Sequence, residues 1–179
     1  VKLPLVLLHR VIHEELNEEK TAWPRAFVNS DNELGGELAV EHLADCGYQN
    51  IIYLGGPDSS DSHHKRLKGI KRKLKELGFP EMDERFVEGA YEVESGQERC
   101  AKLLTTYQKE GREVPDAIIA GNDLIGIGCM ASIVEAGFKV GSDIGVVGFD
   151  DVSHARLPQI QLTTVRVPRQ EMGRGASAQ

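Results

Sequence analysis

The strongest constraint on the fold of this chain is a regular alternation of short apolar runs with longer segments of helical periodicity. Residues 50–55 (NIIYLG), 116–120 (DAIIA) and 144–149 (IGVVGF) are almost continuously apolar, which is typical of strands buried on both faces. Segments with apolar residues three and four positions apart lie between these runs. The alternation predicts an α/β fold with doubly wound parallel sheets and helices on both faces.

The pattern also predicts a first strand at residues 3–8, a brief second strand at 26–28 and a weaker strand at 86–89. Two helices are expected to begin at S-x-x-E capping boxes, one at Ser30 and one at Ser95. Two further helices are expected, one with Leu67, Ile70, Leu74 and Leu77 on one face and Gly78 at its end, and one over residues 124–136. The buried stripe of the first helix is predicted to comprise Leu38, Ala39, Leu43 and Cys46.

Composition narrows the classes of function. The net charge of −7 gives this segment no general attraction to phosphate, so tight nucleic-acid binding by these residues is not expected. No apolar run approaches the ~20 residues that span a bilayer. The three cysteines are far apart and show no metal-binding spacing, which predicts reduced core thiols, a cytoplasmic location and no metal or other cofactor. They are Cys46, Cys100 and Cys129.

Polar side chains follow the predicted strands. In open α/β sheets ligands bind beyond the carboxyl ends of the strands, so these residues are candidates for a binding site. Their carboxylate, amide, guanidinium and phenol groups suit a polyhydroxylated or planar polar small molecule. The candidates are Asp31, Arg66, Tyr91, Asn122 with Asp123, and Asp150 with Asp151. Phe149 and Tyr91 are interpreted as apolar walls rather than specific contacts.

Several candidates also have a structural interpretation. Asp31 and Asn122 each stand where they would cap the helix that follows, and both interpretations stay open. Asp150 follows a buried strand without a strong helix start behind it, which favours ligand contact. Three histidines, His63, His64 and His154, are predicted to be exposed in loops.

Motifs for catalysis are missing from the sequence. It contains no G-x-S-x-G, G-x-x-x-x-G-K or H-E-x-x-H string, and we therefore expect no enzymatic activity. Residues 126–131 (GIGCMA) match G-x-G-x-x-A, but helical spacing continues through them, which favours close helix packing over a dinucleotide site. The basic residues between 65 and 75 are interpreted as a solvated helix face, with Arg66 as the exception.

Four successive segments together resemble the LacI/GalR family of transcription regulators. They are GGELAVEHLADCGYQNIIYLGGP, RLKGIKRKLKELG, PDAIIAGNDLIGIGCMASIVEAGFKVGSDIGVVGFDD and LTTVRVPRQEMGR. The resemblance covers about residues 4–174 in the right order. It implies a two-lobed periplasmic-binding-protein-like (type I) fold, homodimers, an N-terminal helix-turn-helix headpiece and a small effector bound between the lobes.

The resemblance also implies a division of the chain. Residues 1–47 and 163–179 would belong to an incomplete lobe nearer the headpiece, and residues 48–162 to the distal lobe, with the headpiece itself outside this sequence. The crossovers would lie near Gly47 and Leu162. By position, five of the candidate residues fall where the family contacts its effector, namely Asp31, Arg66, Tyr91, Asn122 and Asp150.

The resemblance implies the effector-binding and dimerisation domain of a repressor that senses a small metabolite. A sugar or sugar phosphate is the favoured effector, with a purine as a weaker candidate, because sugars and nucleobases use overlapping polar groups in this fold. Operator DNA would be contacted through the headpiece, and no membrane would be involved. The alternative is a periplasmic sugar-binding protein of a transporter with the same fold.

Overall fold

The computed structural model describes residues 5–8, 25–80 and 86–177. Its elements in chain order are β1 (Leu5–Leu8), β2 (Arg25–Val28), α1 (Asn32–Asp45), β3 (Ile51–Leu54), α2 (Asp61–Glu76), β4 (Phe86–Val87), α3 (Val93–Lys109), β5 (Ala117–Ala120), α4 (Asp123–Glu135), β6 (Gly145–Phe149), a 3-10 helix (Ser153–Arg156), β7 (Thr163–Val165) and α5 (Arg169–Ser177). The chain forms two compact units, Asn32–Arg166 and the smaller unit of Val1–Asp31 with Val167–Gln179.

The larger unit contains a five-stranded sheet in the order β4-β3-β5-β6-β7. Every neighbouring pair is parallel. Alternate side chains enter two separate cores: Ile52 and Ile118 pack with α3 and α4 on one face, while Ile51 and Ile119 pack with α1 and α2 on the other. Burial on both faces explains why these strands are apolar at every position, and the predicted doubly wound parallel sheet is confirmed.

The glycines of residues 126–131 allow close contact between α3 and α4. A Cβ atom on Gly128 would lie 2.1 Å from the carbonyl oxygen of Val93, and one on Gly96 would lie 2.4 Å from that of Ile125. Neither position has room for a side chain, so the two helices pack backbone against backbone. The interpretation of GIGCMA as a helix-packing segment is therefore confirmed.

The smaller unit is built around β1 and β2, which pair in parallel from Leu5↔Arg25 to Leu8↔Val28. Helix α5 packs against both strands. The predicted strand at residues 3–8 is confirmed over its last four residues, and residues 3 and 4 lie outside the described ranges. Within those ranges, no helix is long and apolar enough to cross a membrane.

Three local predictions were wrong. Helix α3 begins at Val93 after Glu92, which makes no side-chain cap, so the capping box at Ser95 does not form. Leu38 is exposed because the buried face of α1 runs through Ala39, Val40 and Leu43. Cys46 follows the end of this helix and is exposed, whereas Cys100 and Cys129 are buried thiols as expected.

The division between the two units differs from the predicted crossovers near Gly47 and Leu162. It falls between Asp31 and Asn32 and between Arg166 and Val167. The reason is that α1 packs along α2, and β7 pairs with β6 as the edge strand of the larger sheet. The identification of the units with headpiece-proximal and distal lobes stays a prediction.

Candidate functional site

The candidate site lies at the carboxyl ends of β3, β5 and β6. Because β4 and β5 flank β3 on opposite sides, the chain changes direction across the sheet between β3 and β5, which is the switch point where such sheets bind ligands. Here the N–H of Gly121 donates to the Leu54 carbonyl at 2.7 Å. A Cβ atom on Gly121 would lie 3.0 Å from the backbone of Gly55, so glycine allows the two loops to meet.

Arg66 occupies this switch point. It lies in α2, and its side chain is only 3% exposed. Its Nε donates to Oδ1 of Asn32 at 2.8 Å, and its Nη1 donates to the carbonyl oxygen of Gly121. The guanidinium carbon lies 4.5 Å from the centroid of the Phe149 ring, a stacking contact that favours a cation. The guanidinium is thus held in one orientation by α1, the β5–α4 loop and β6.

Asp150 provides the acidic partner. Its Oδ1 lies 3.5 Å from Nη2 of Arg66, and its side chain is 24% exposed. Its N–H donates to the Val165 carbonyl at 3.0 Å, and its φ is 103°. A non-glycine residue in this region is strained, and such residues cluster at functional sites. The carboxylate lies at the boundary between the buried guanidinium and solvent.

The two aromatic candidates have different environments. Phe149 is 1% exposed and lies beneath the Arg66 guanidinium, so it supports the arginine instead of presenting an open wall. Tyr91 is partly buried, and its hydroxyl oxygen lies 3.1 Å from Oγ of Ser60. A Cβ atom on Gly56 would lie 2.1 Å from the Tyr91 ring. The Tyr91 ring therefore covers the loop that follows β3.

The helix-cap interpretation of Asn122 is confirmed. Its Oδ1 accepts a hydrogen bond from the N–H of Ile125 at 2.9 Å at the start of α4. The amide nitrogen is the group that remains to donate to a ligand. The next residue, Asp123, is fully buried, and its carboxylate accepts hydrogen bonds from the N–H of Val152 at 2.7 Å and the hydroxyl of Thr164 at 2.5 Å. Burial raises the pKa of Asp123, and its contacts indicate a structural role.

Asp151 also has a structural role. Its carboxylate accepts hydrogen bonds from Nε of Arg156 at 2.8 Å and from Nε of Arg166 at 2.6 Å. The bond from Arg156 is the chief reason that its pKa is lowered to about 2. Of the two consecutive aspartates, Asp150 therefore lies beside the buried Arg66, and Asp151 binds Arg156 and Arg166.

Asp31 belongs to the smaller unit, and its side chain is exposed. The other five predicted site residues, Arg66, Tyr91, Asn122, Phe149 and Asp150, belong to the larger unit. Effector contact by Asp31 from an opposite lobe stays a prediction.

Sequence reasoning missed four residues that build this edge of the sheet. Asn32 accepts a hydrogen bond from Arg66, and Ser60 lies beside the Tyr91 hydroxyl. Arg99 donates from Nη1 to the carbonyls of Gly55 at 2.8 Å and Val87 at 3.1 Å. The fourth, His63, was predicted to be an exposed loop histidine, which is wrong. It lies in α2 and is 1% exposed. His64 and His154 are exposed, as expected, but lie in helical turns.

A concavity of about 400 Å³ lies at the opposite end of the sheet from Arg66 and Asp150, where β6 and β7 begin. Its walls are mainly apolar and include Leu43, Tyr48, Val146 and Leu162. The edge of the sheet at Arg66 and Asp150 instead offers a fixed cation, a carboxylate, an amide and hydroxyl groups. In the described ranges no three His, Cys, Asp or Glu side chains cluster as a metal site would require. The edge at Arg66 and Asp150 is thus suited to hydrogen bonding with a polar organic ligand.

Comparison with known proteins agrees with this architecture. The family model of the periplasmic binding protein-like domain matches residues 40–178. Over 158 residues the chain is 32% identical to the HTH-type transcriptional regulator DegA of Bacillus subtilis (strain 168), covering 88% of this chain and 45% of that protein. The chain thus spans less than half the length of this relative.

Solved structures show the same fold. A regulatory protein of the LacI family from Chloroflexus aggregans has a TM-score of 0.82 at 29% identity, over 98% of this chain and 58% of that chain. A sugar-binding LacI-family transcriptional regulator from Escherichia coli, complexed with phosphate, has a TM-score of 0.77 at 27% identity, over 94% and 56% of the two chains. This chain belongs to the periplasmic binding protein-like domain family, in the form found in LacI-family transcriptional regulators.

Proposed function

We propose that this chain is the effector-binding and dimerisation domain of a cytoplasmic transcription regulator and that the crevice at Arg66 and Asp150 binds a small metabolite. The observation that carries the proposal is the buried Arg66 guanidinium, fixed at the switch point of the sheet and bordered by a partly exposed carboxylate. Such an arrangement offers a preorganised donor beside an acceptor, which lowers the entropic cost of holding a polar ligand.

The chemistry of the crevice favours a hydroxylated ligand. Asp150 can accept hydrogen bonds from two hydroxyl groups, the amide of Asn122 can donate, and Tyr91 offers an aromatic face for a sugar ring. Because the carboxylate lies 3.5 Å from Arg66, it offsets the positive charge that a phosphate would need. A neutral sugar is therefore the first candidate, and a sugar phosphate is the second. The Escherichia coli structure complexed with phosphate keeps the second candidate in view.

Regulation would arise from a difference in effector affinity between two arrangements of the intact protein. The similarity to DegA, an HTH-type transcriptional regulator, supports an N-terminal DNA-binding headpiece in the whole protein. This acidic domain does not itself supply the positive charge that DNA binding requires. The intact protein would act as a homodimer on operator DNA, most simply as a repressor, and would carry out no chemical reaction.

A thermal-shift screen of the intact protein tests the proposal, because a ligand that binds the native state raises the melting temperature. The panel comprises D-ribose, D-glucose, cellobiose, D-ribose 5-phosphate, D-glucose 6-phosphate and hypoxanthine. We expect a selective shift by one class of sugar. Shifts by hypoxanthine alone would contradict the sugar assignment, and no shift with any compound would contradict the proposed effector class.

Asp150→Asn is the variant that tests the site. Asparagine adopts positive φ more readily than alanine, so it removes the charge without adding strain at φ 103°. Loss of a charged hydrogen bond costs roughly 1.5–3 kcal/mol, and we expect the effector to bind about 10- to 100-fold more weakly. The matched control, Asp45→Asn at the exposed end of α1, should bind normally. Equal affinity in both variants would contradict the site.

A further inference from the structure

His63 is a buried histidine in the first turn of α2. Its ring is stacked on that of Tyr53, with 5.6 Å between centroids and 7° between planes. The N–H of Gly56 points to its Nδ1 at 3.2 Å, and the Tyr53 hydroxyl oxygen lies 3.2 Å from the same nitrogen. A backbone N–H can only donate, so Nδ1 must be unprotonated. The neutral ring therefore carries its proton on Nε2.

The Nε2 atom is buried and makes no hydrogen bond within the described residues. Oε1 of Glu88 lies 3.7 Å from it, and the Glu88 side chain is half exposed. The polar contacts of the ring that lie within hydrogen-bond distance are thus on its Nδ1 side, with the Gly56 N–H and the Tyr53 hydroxyl. The buried Nε2 donor is therefore poorly satisfied, because its nearest acceptor lies beyond hydrogen-bond distance.

The hydrogen bond to Gly56 closes a ring of contacts around the loop after β3. Cβ atoms on the two glycines of this loop would collide with aromatic rings: Gly55 with His63 at 2.4 Å and Gly56 with Tyr91 at 2.1 Å. The hydroxyl of Ser60 lies 3.1 Å from that of Tyr91 and accepts the N–H of His63 at 3.3 Å. The His63 ring therefore packs against Gly55, and the Tyr91 ring packs against Gly56.

We propose that His63 is a positioning residue of the effector site, which holds the Gly55–Gly56 turn against Tyr91 while its ring is neutral and releases the turn when the ring is protonated. Protonation places a second N–H at Nδ1, facing the N–H of Gly56. Two donors cannot share a hydrogen bond, so the contact breaks. The inference rests on the proposed function, because it assigns Tyr91 and Ser60 to the wall of the effector crevice.

The charges around His63 set the direction of the effect. Burial is the largest cause that lowers its pKa, and His64 on the same helix lowers it further, while Glu88 after β4 and Asp58 before α2 oppose them. Tyr53 on β3 stays protonated, because burial raises its pKa.

The ring is therefore neutral at pH 7. Its folded-state pKa lies below the ordinary 6.5, so its stabilising contribution is complete above that pH and is lost as the pH falls through the folded-state value.

Histidine ¹H–¹⁵N NMR of the intact protein between pH 8 and pH 4 tests the proposal without any ligand. At pH 7 we expect the His63 ring to be protonated on Nε2 alone. Below pH 6.5 the Gly56 amide and the Tyr91 ring signals should shift with the same midpoint as His63. A ring protonated on Nδ1 at pH 7, or a titration that leaves Gly56 and Tyr91 unchanged, would overturn the proposal.

Variants separate positioning from a simple packing role. His63→Asn offers an acceptor oxygen near the place of Nδ1 and cannot titrate, so the Gly56 and Tyr91 signals should match the neutral wild type and stay constant with pH. His63→Ala should resemble the acid form at every pH. His64→Asn, at the exposed neighbour, should leave the titration in place. If His63→Asn keeps the pH-dependent shifts of Gly56 and Tyr91, the proposal fails.

Binding of D-ribose, D-glucose and cellobiose at pH 7.5 and pH 5 gives the functional readout. For whichever of these sugars binds, wild-type affinity should weaken by about three- to tenfold in acid, the scale of one hydrogen bond, and His63→Asn should show no such change. A wild-type affinity independent of pH would contradict the coupling to the effector site. Failure of all three sugars to bind would count against the proposed effector, while the NMR titration would still decide the role of His63.

Discussion

Replacing Arg66 with methionine removes the cation on which the candidate site is built. Methionine approximates the apolar stem of arginine but has no guanidinium, so Oδ1 of Asn32 and the carbonyl of Gly121 lose their donor. Hydrogen bonds to charged groups contribute roughly 1.5–3 kcal/mol each. Because Asp150 is 24% exposed, water can reach this side of the guanidinium and recover part of the loss. We expect the free energy of unfolding to fall by about 2–4 kcal/mol.

The assay is urea denaturation of the intact protein at pH 7, with the free energy extrapolated linearly to zero urea. Arg72→Met is the matched control, because Arg72 lies on the same helix, is 53% exposed and pairs with Glu37 and Glu33. Exposed ion pairs contribute about 0–1 kcal/mol, so this variant should be nearly neutral. Arg66→Lys keeps the charge without the planar fork and should fall between the two. Equal destabilisation by Arg66→Met and Arg72→Met would refute the reasoning.

Three further predictions concern other parts of the chain. Because the pKa of Asp151 is lowered to about 2, its bond to Arg156 stabilises the fold above about pH 4, and this stabilisation is lost as the pH falls towards 2. The urea midpoint of Asp151→Asn should therefore change less between pH 4 and pH 2 than that of the wild type. Gly128→Ala places a Cβ atom 2.1 Å from the carbonyl of Val93 and should lower the melting temperature, at a cost of about 1–3 kcal/mol. Gly173→Ala meets nothing within 4 Å in α5, and calorimetry should show a gain of up to about 1 kcal/mol.

The sheet, and the position of Arg66 and Asp150 at one edge of it, were predictable because both follow from local pattern. Strands such as residues 51–54 are apolar at every position, and polar residues after strand ends share one edge of a parallel sheet. The contact of Arg66 with Asn32 joins residues 34 positions apart on two helices, and no periodicity predicts it.

His63 was misassigned although a signal existed. It stands three residues before Arg66 and seven before Ile70, on the face of α2 that is buried. The basic and polar composition of the surrounding residues concealed that face. The crossover predicted near Gly47 differs from the division between Asp31 and Asn32 for a related reason. Only the packing of α1 on α2 shows which unit the helix belongs to.

The most direct test of the account is a crystal structure of the intact protein with the sugar that gives the largest thermal shift. We predict ligand density at the carboxyl ends of β3, β5 and β6, with a ligand oxygen within hydrogen-bond distance of Arg66 and a hydroxyl group donating to Asp150. Density at the opposite end of the sheet, in the concavity lined by Leu43 and Val146, would contradict the central claim.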